Sequence, residues 1–197
     1  MNKLILVSVF VIGSVFSMNA QADSGIAQVG LKGGANFATV MGDDFDSPDS
    51  RVGFYAGLMA EIPFSERFSV QPELLYSQQG FKINESEWGD AKYRINYIQI
   101  PILAKVYLVK GLNIQVGPQL GFNVHEDIHF DTDMGDGSID TSDSDVKDLD
   151  FGVAAGLGYK FDNGFYLQAR YNYGITKIIE DADVHNSVFQ AGIGFMF

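Results

Sequence analysis

The sequence predicts an all-β fold, an eight-stranded antiparallel up-and-down transmembrane β-barrel. Three observations predict it. Segments of about ten residues or more alternate apolar with small or polar side chains from Ile26 to Phe197, the period of a strand and the signature of barrel walls. The connections between them alternate short and long. An export leader stands at the front, and no helix-period segment or second sheet is available to cover the apolar faces, so those faces are expected to meet lipid.

The leader has Lys3, an apolar run Leu4–Phe16 and the small-residue pattern Ala20-Gln21-Ala22. This is the layout of a secretory signal, and the run is shorter than the roughly 20 residues that span a bilayer as a helix. Residues 1–22 are expected to be a cleaved signal peptide, and residues 23–197 one barrel domain. Ala20 is the alternative cleavage point. The chain has no Cys, so it has no lipoprotein anchor, no disulfide framework and no thiol chemistry.

The first strand, about Ile26–Thr39, sets Ala27, Val29, Leu31, Ala35 and Phe37 against Gln28, Lys32 and Asn36. The second, Val52–Ile62, sets Val52, Phe54, Ala56, Leu58 and Ala60 against Tyr55, Met59 and Glu61. The third, Arg67–Phe81, sets Phe68, Val70, Pro72, Leu74 and Tyr76 against Gln71, Glu73 and Leu75. The fourth, Tyr93–Leu108, changes phase: Tyr93, Ile95 and Tyr97 share a face, then Ile98, Ile100 and Ile102 take the other. A one-residue bulge near Tyr97–Ile98 would reconcile the halves. The fifth runs from Leu112 to Val124 and sets Ile114, Val116, Leu120 and Phe122 against Asn113, Gln115, Gln119 and Asn123. The sixth, Leu149–Phe161, sets Phe151, Val153 and Leu157 against Gly152, Gly156 and Lys160. The seventh, Phe165–Ile178, sets Leu167, Tyr171 and Tyr173 against Tyr166, Gln168 and Arg170. The eighth runs from Ser187 to Phe197, with Phe189, Ile193 and Phe195 on the apolar face.

Tight turns are expected at Pro63–Glu66, Val109–Gly111 and Asp162–Gly164, where Asp162-Asn163-Gly164 is strong turn chemistry. Longer polar links span Val40–Arg51, Lys82–Lys92, Glu126–Asp148 and Ile179–His185. Short turns on one side and long links on the other are the asymmetry of outer-membrane barrels. The non-apolar face is mostly Gly, Ala, Gln, Asn and Ser. That composition suits the narrow interior of an eight-stranded barrel better than a solvated exterior. Phe54, Phe68, Tyr93, Phe122, Phe151, Phe161, Phe165, Phe195 and Phe197 fall near strand ends, as interfacial girdles require.

The stretches VGLKGGANFAT, GFYAGLMAEIPFSERFSVQPELLYSQQG, YIQIPILAKVYL, GLNIQVGPQLGF, DFGVAAGLGYKFDNGFYLQARYNYGIT and SVFQAGIGFMF resemble the PorT-like, porin-family outer-membrane barrel proteins of Bacteroidota. QPELLYSQQG and IPILAKVY carry the resemblance most specifically. It implies an OmpX/OmpA-like eight-stranded barrel in the bacterial outer membrane, and brings no catalytic motif. It also implies that the barrel-assembly machinery reads the final strand, with Phe197 as the assembly signal.

The formal charge is −12, and loss of Lys3 with the leader adds one more negative unit. This charge argues against nucleic acid as a partner, since phosphate contacts need clustered Lys and Arg. Lys32, Glu61, Glu73, Lys105, Lys160 and Arg170 are expected inside the barrel, with Arg94 inward before the bulge. Buried charges must be paired, so Glu61, Glu73, Lys105 and Arg170 are expected to meet as one network in the half near the tight turns. His125, Asp127 and Ser138 have no nucleophile motif around them, so no enzymatic activity and no cofactor are expected. Glu126–Asp148 carries nine acidic residues against Lys147 and is expected to be a solvated, mobile link. Asp131–Gly137 departs from calcium-loop spacing, leaving weak divalent-cation binding as the sharper alternative. The expected role is a non-catalytic structural or interaction barrel acting through its outer links on an unknown protein partner. A narrow pore or an accessory part of envelope transport or secretion is the alternative.

Overall fold

The computed structural model describes residues 26–42, 49–86, 89–132, 135–140, 149–177 and 184–197. For residue 49 and within 81–93 and 126–140 it describes backbone only. The expected signal peptide lies outside the described residues. The strands are β1 (Gln28–Met41), β2 (Asp49–Pro63), β3 (Phe68–Ser86), β4 (Gly89–Tyr107), β5 (Leu112–Thr132), β6 (Gly135–Asp140), β7 (Leu149–Lys160), β8 (Phe165–Gly174) and β9 (His185–Met196). All pairings are antiparallel. The order β4-β3-β2-β1-β9-β8-β7-β5, with β4 also paired to β5, closes the sheet on itself. Eight strands form the wall, and β6 is a ninth, short strand laid on the far end of β5. Closure satisfies the wall's backbone groups internally, as a lipid environment demands.

The burial pattern is inverted relative to a water-soluble protein. Ile193 is 54% exposed, Leu31 and Leu157 are each 53% exposed, while Lys105 is fully buried and Arg170 is 1% exposed. Period-two alternation explains this directly: outward positions carry the apolar set and inward positions the polar one. The inward set expected from sequence, including Tyr55, Met59, Leu75, Gln115, Gln119, Tyr166 and Gln168, is buried. Of the expected girdle, Phe54, Phe68, Phe122, Phe151, Phe161, Phe195 and Phe197 are exposed. Tyr159, Phe161 and Phe165 form a ring cluster at the tight-turn end, as do Phe195 and Phe197. Among the described residues no helix is long and apolar enough to cross a membrane.

The three tight turns lie where expected. Gly111 and Gly164 adopt φ of 82° and 86°, a left-handed backbone that a glycine enters without steric cost.

Three expectations are corrected. The bulge lies on β5, not β4: Asn96 pairs with His125 and Tyr97 with Asn123, which leaves Val124 as the extra residue. β4 pairs with β3 without interruption at that point. The apparent phase change arises because Ile95 and Tyr97 face inward, 4% and 1% exposed, like Gln99 and Leu103. Arg94 alternates with them, so strand geometry puts it on the side of Ile98 rather than inward. Finally, the acidic link is not wholly irregular. Its residues 126–132 continue β5 along β4, and 135–140 pair back as β6. Backbone pairing on an existing strand template outweighs the low hydrophobicity of this segment. The third and fourth strands likewise run into the expected link Lys82–Lys92.

Candidate functional site: a charged network filling the barrel

The wall strands deliver their inward polar side chains in layers. Nearest the tight turns is Glu61 of β2, two residues before Pro63. It accepts hydrogen bonds from Ser69 Oγ at 2.9 Å, Tyr107 Oη at 2.5 Å, Lys105 Nζ at 3.0 Å and Lys160 Nζ at 3.2 Å. Lys160 also donates to Gln28 Oε1.

The next layer centres on Glu73 of β3. Lys32 Nζ approaches one carboxylate oxygen at 2.7 Å and Arg170 Nη1 the other at 2.9 Å. All three side chains are fully buried. Gln71 joins the two layers: its carbonyl accepts from Lys105 at 2.9 Å, and its amide donates to Glu73 at 2.6 Å. Lys32 also donates to Gln168, whose amide donates to Tyr55 Oη.

Arg170 carries the network onward. Its Nη2 donates to Gln190 at 2.8 Å, Gln190 donates to Asn36, and Asn36 donates to Ser77. At the far end Asp150 accepts from Thr176 at 2.7 Å and from Asn186 at 2.8 Å. Asn186 reaches across to Tyr97 Oη at 3.3 Å.

Two carboxylates thus hold four cations in the inner layers. Tyrosine faces supply further negative potential: Lys105 Nζ lies 4.8 Å from the Tyr166 ring centroid and 5.4 Å from that of Tyr107, and Lys32 Nζ lies 5.8 Å from Tyr55. Ring quadrupoles attract desolvated cations in this way.

Lys32, Glu61, Glu73, Lys105 and Arg170 are buried in the lumen and Lys160 is partly so, whereas Arg94 is not among them. They meet as a network in two layers joined through Gln71, with Glu73 a step further from the tight turns than Glu61. Glu61 takes Lys105 and Lys160, while Glu73 takes Lys32 and Arg170. The reason is register. Glu73 pairs with Met59 across β2–β3, so Glu61 sits one inward step nearer the turn. Sequence reasoning missed the bridging roles of Gln71 and Gln190 and the outer layer of Tyr97, Asp150 and Asn186. Strand parity alone could have placed the glutamines inward, but not chosen their partners.

His125 is exposed, and the side chains of Asp127 and Ser138 lie outside the described set. Among the described residues no group of three or more His, Cys, Asp or Glu is disposed to hold a metal.

Comparison with known proteins agrees with this geometry. Residues 19–180 match the family model described as "Outer membrane protein beta-barrel domain". The structure of Ail, the attachment invasion locus protein of Yersinia pestis, superposes with a TM-score of 0.56 at 17% identity, covering 88% of this chain and 100% of that one. Neisserial surface protein A gives 0.54 at 15% identity, with the same coverages. At such identities the likeness is one of fold. No curated protein matches the sequence. The family match, the closed wall and the apolar exterior make this an integral barrel of the bacterial outer membrane, in contact with lipid. The chain belongs to the outer membrane protein β-barrel domain family.

Proposed function

We propose that this barrel is a non-catalytic structural and interaction protein of the PorT-like kind, with a filled interior and outer links that meet partners. The supporting observation is the hydrogen-bonded network running from Lys160 and Glu61 through Glu73 and Arg170 to Asn36. Long side chains cross-bracing opposite walls leave an eight-stranded lumen little room for continuous water. The leader 1–22 directs export, and the assembly machinery engages the final strand ending at Phe197.

Ail has been crystallised with a heparin analogue, sucrose octasulfate. The nine carboxylates of residues 126–148 in this chain repel such a polyanion and favour cationic partners. Two measurements test the proposal. Unheated protein from outer membranes migrates differently from boiled protein in SDS, because a closed sheet offers no edge from which to unravel. Purified monomer in planar bilayers gives no steady single-channel current. Steady current would promote the pore or secretion reading over the filled barrel.

A further inference from the structure

β6 stands apart from the closed wall. Each wall strand pairs on both sides, whereas β6, among the described residues, pairs with β5 alone. It lies on the side of β5 that β7 occupies nearer the lipid: the β7 ladder ends at Phe122, and the β6 ladder begins at Asp127. Among the described residues its other edge has no ladder partner, and an open edge is a template on which a further strand forms. Sheets commonly guard such an edge with Lys or Pro. The segment Gly135–Asp140 contains neither.

This part of the sheet stands in water. Along the wall the outward residues of β4 and β5 are apolar: Ile102, Leu120 and Phe122 are all exposed. Beyond the Val124 bulge, alternation gives the same face to Arg94 and Asp90 of β4 and to Asp127 and Asp131 of β5. The opposite face takes Tyr93, Ile128, Phe130 and, on β6, Ile139. The polarity of the wall is thus inverted, which suits a sheet with one solvated side.

Register sets what a strand added to β6 must carry. Asp90 pairs with Asp131, and Asp131 with Asp136. Arg94 pairs with Asp127, and Asp127 with Asp140. The polar rows therefore end at β6 on Asp136, Ser138 and Asp140. Like charges directly opposite weaken a ladder, and opposite charges strengthen it. Lys or Arg placed in the rows of Asp136 and Asp140 relieves the repulsion. A second copy of β6, laid antiparallel about Ser138, would set Asp136 against Asp140 twice and increase it.

We infer that the free edge of β6 docks an extended basic segment of a partner protein, added as a further strand that alternates Lys or Arg with apolar residues. Backbone bonds give such an added strand its affinity, and its alternate side chains give specificity. The basic residues take the rows of Asp136 and Asp140, and the apolar ones take the face of Ile139. The inference rests on the interaction role proposed above, and names the site and the chemistry of the partner.

The test uses full-length protein folded in detergent, with the unheated SDS band shift confirming the fold of each variant. The chain has no Cys, so Ser138→Cys supplies a single thiol on β6. The probe is a short peptide alternating Lys and Val, made with one Cys in place of either a Lys or a Val. Under mild oxidation the Lys-position Cys is expected to form the disulfide adduct about tenfold or more in excess of the Val-position Cys, because only residues on one face of neighbouring strands approach closely. In a separate titration of labelled Lys/Val peptide, Asp136→Asn with Asp140→Asn is expected to weaken binding about threefold or more. Equal adduct yields from the two positions would mean adsorption by charge alone, and overturn the inference. So would no adduct from either, unchanged affinity in the double Asn variant, or Ser138→Cys chains that join each other in preference to the peptide. A folded barrel without steady current that fails these tests refutes the β6 site and leaves the filled-barrel reading standing.

Discussion

Removing Glu73 should damage this barrel more than removing either of its cations. Glu73→Gln leaves Lys32 and Arg170 facing each other in the lumen without the carboxylate that each contacts, at 2.7 and 2.9 Å. Arg170→Met is milder, because Glu73 keeps Lys32 and the Gln71 amide. Breaking a buried pair costs about 3–5 kcal/mol, whereas replacing every member by apolar groups of similar volume is often neutral. Glu73→Gln breaks two pairs at once, so its cost should reach at least the top of that range. Arg170→Met should lie at or below the bottom of it. The triple variant Lys32→Met, Glu73→Leu, Arg170→Met should recover most of the loss. The assay is reversible urea unfolding in lipid vesicles, followed by tryptophan fluorescence and by the SDS band shift. If Glu73→Gln unfolds within about 0.5 kcal/mol of wild type, the buried charges are solvated in the lumen and the reasoning fails. A triple variant no better than Glu73→Gln would refute the pairing argument in the same way.

Other expectations follow from single contacts. Gly57→Ala places a β-carbon 2.0 Å from the Leu74 carbonyl oxygen, which cannot retreat without opening the β2–β3 ladder; it should cost about 3 kcal/mol or more and lower the refolded fraction on SDS gels. Tyr107→Phe removes one of four donors to Glu61 and should cost about 1.5–3 kcal/mol, the range for a hydrogen bond to a charged group, in the same unfolding assay. Phe197→Asp places a charge at an exposed position whose amide bonds Val29 and whose ring packs on Phe195. If the final strand is what the assembly machinery engages, it should leave protease-sensitive chain in the periplasm, and normal outer-membrane yield would count against that role.

The number of wall strands, the tight turns and the inward side of the wall strands, the first half of β4 excepted, were legible in the sequence because each depends on local chemistry. A period of two sorts Lys32, Glu61, Glu73, Lys105, Lys160 and Arg170 to one side without reference to any other strand. Asp162-Asn163-Gly164 announces its own turn. The phase of β4 misled because the lumen also takes apolar side chains, so polarity at Ile95 and Tyr97 did not report direction. Pairing, by contrast, was decided by the closed barrel alone. Lys32 and Glu73 are 41 residues apart and Arg170 and Glu73 are 97 apart; they meet because the stagger between strands brings those inward steps to one level. A slip of one residue would turn the side chains outward, and a slip of two between β2 and β3 would set Glu61 opposite Glu73 in place of Met59. The sum of eight registers around a closed wall is a global quantity, and no local stretch of sequence encodes it.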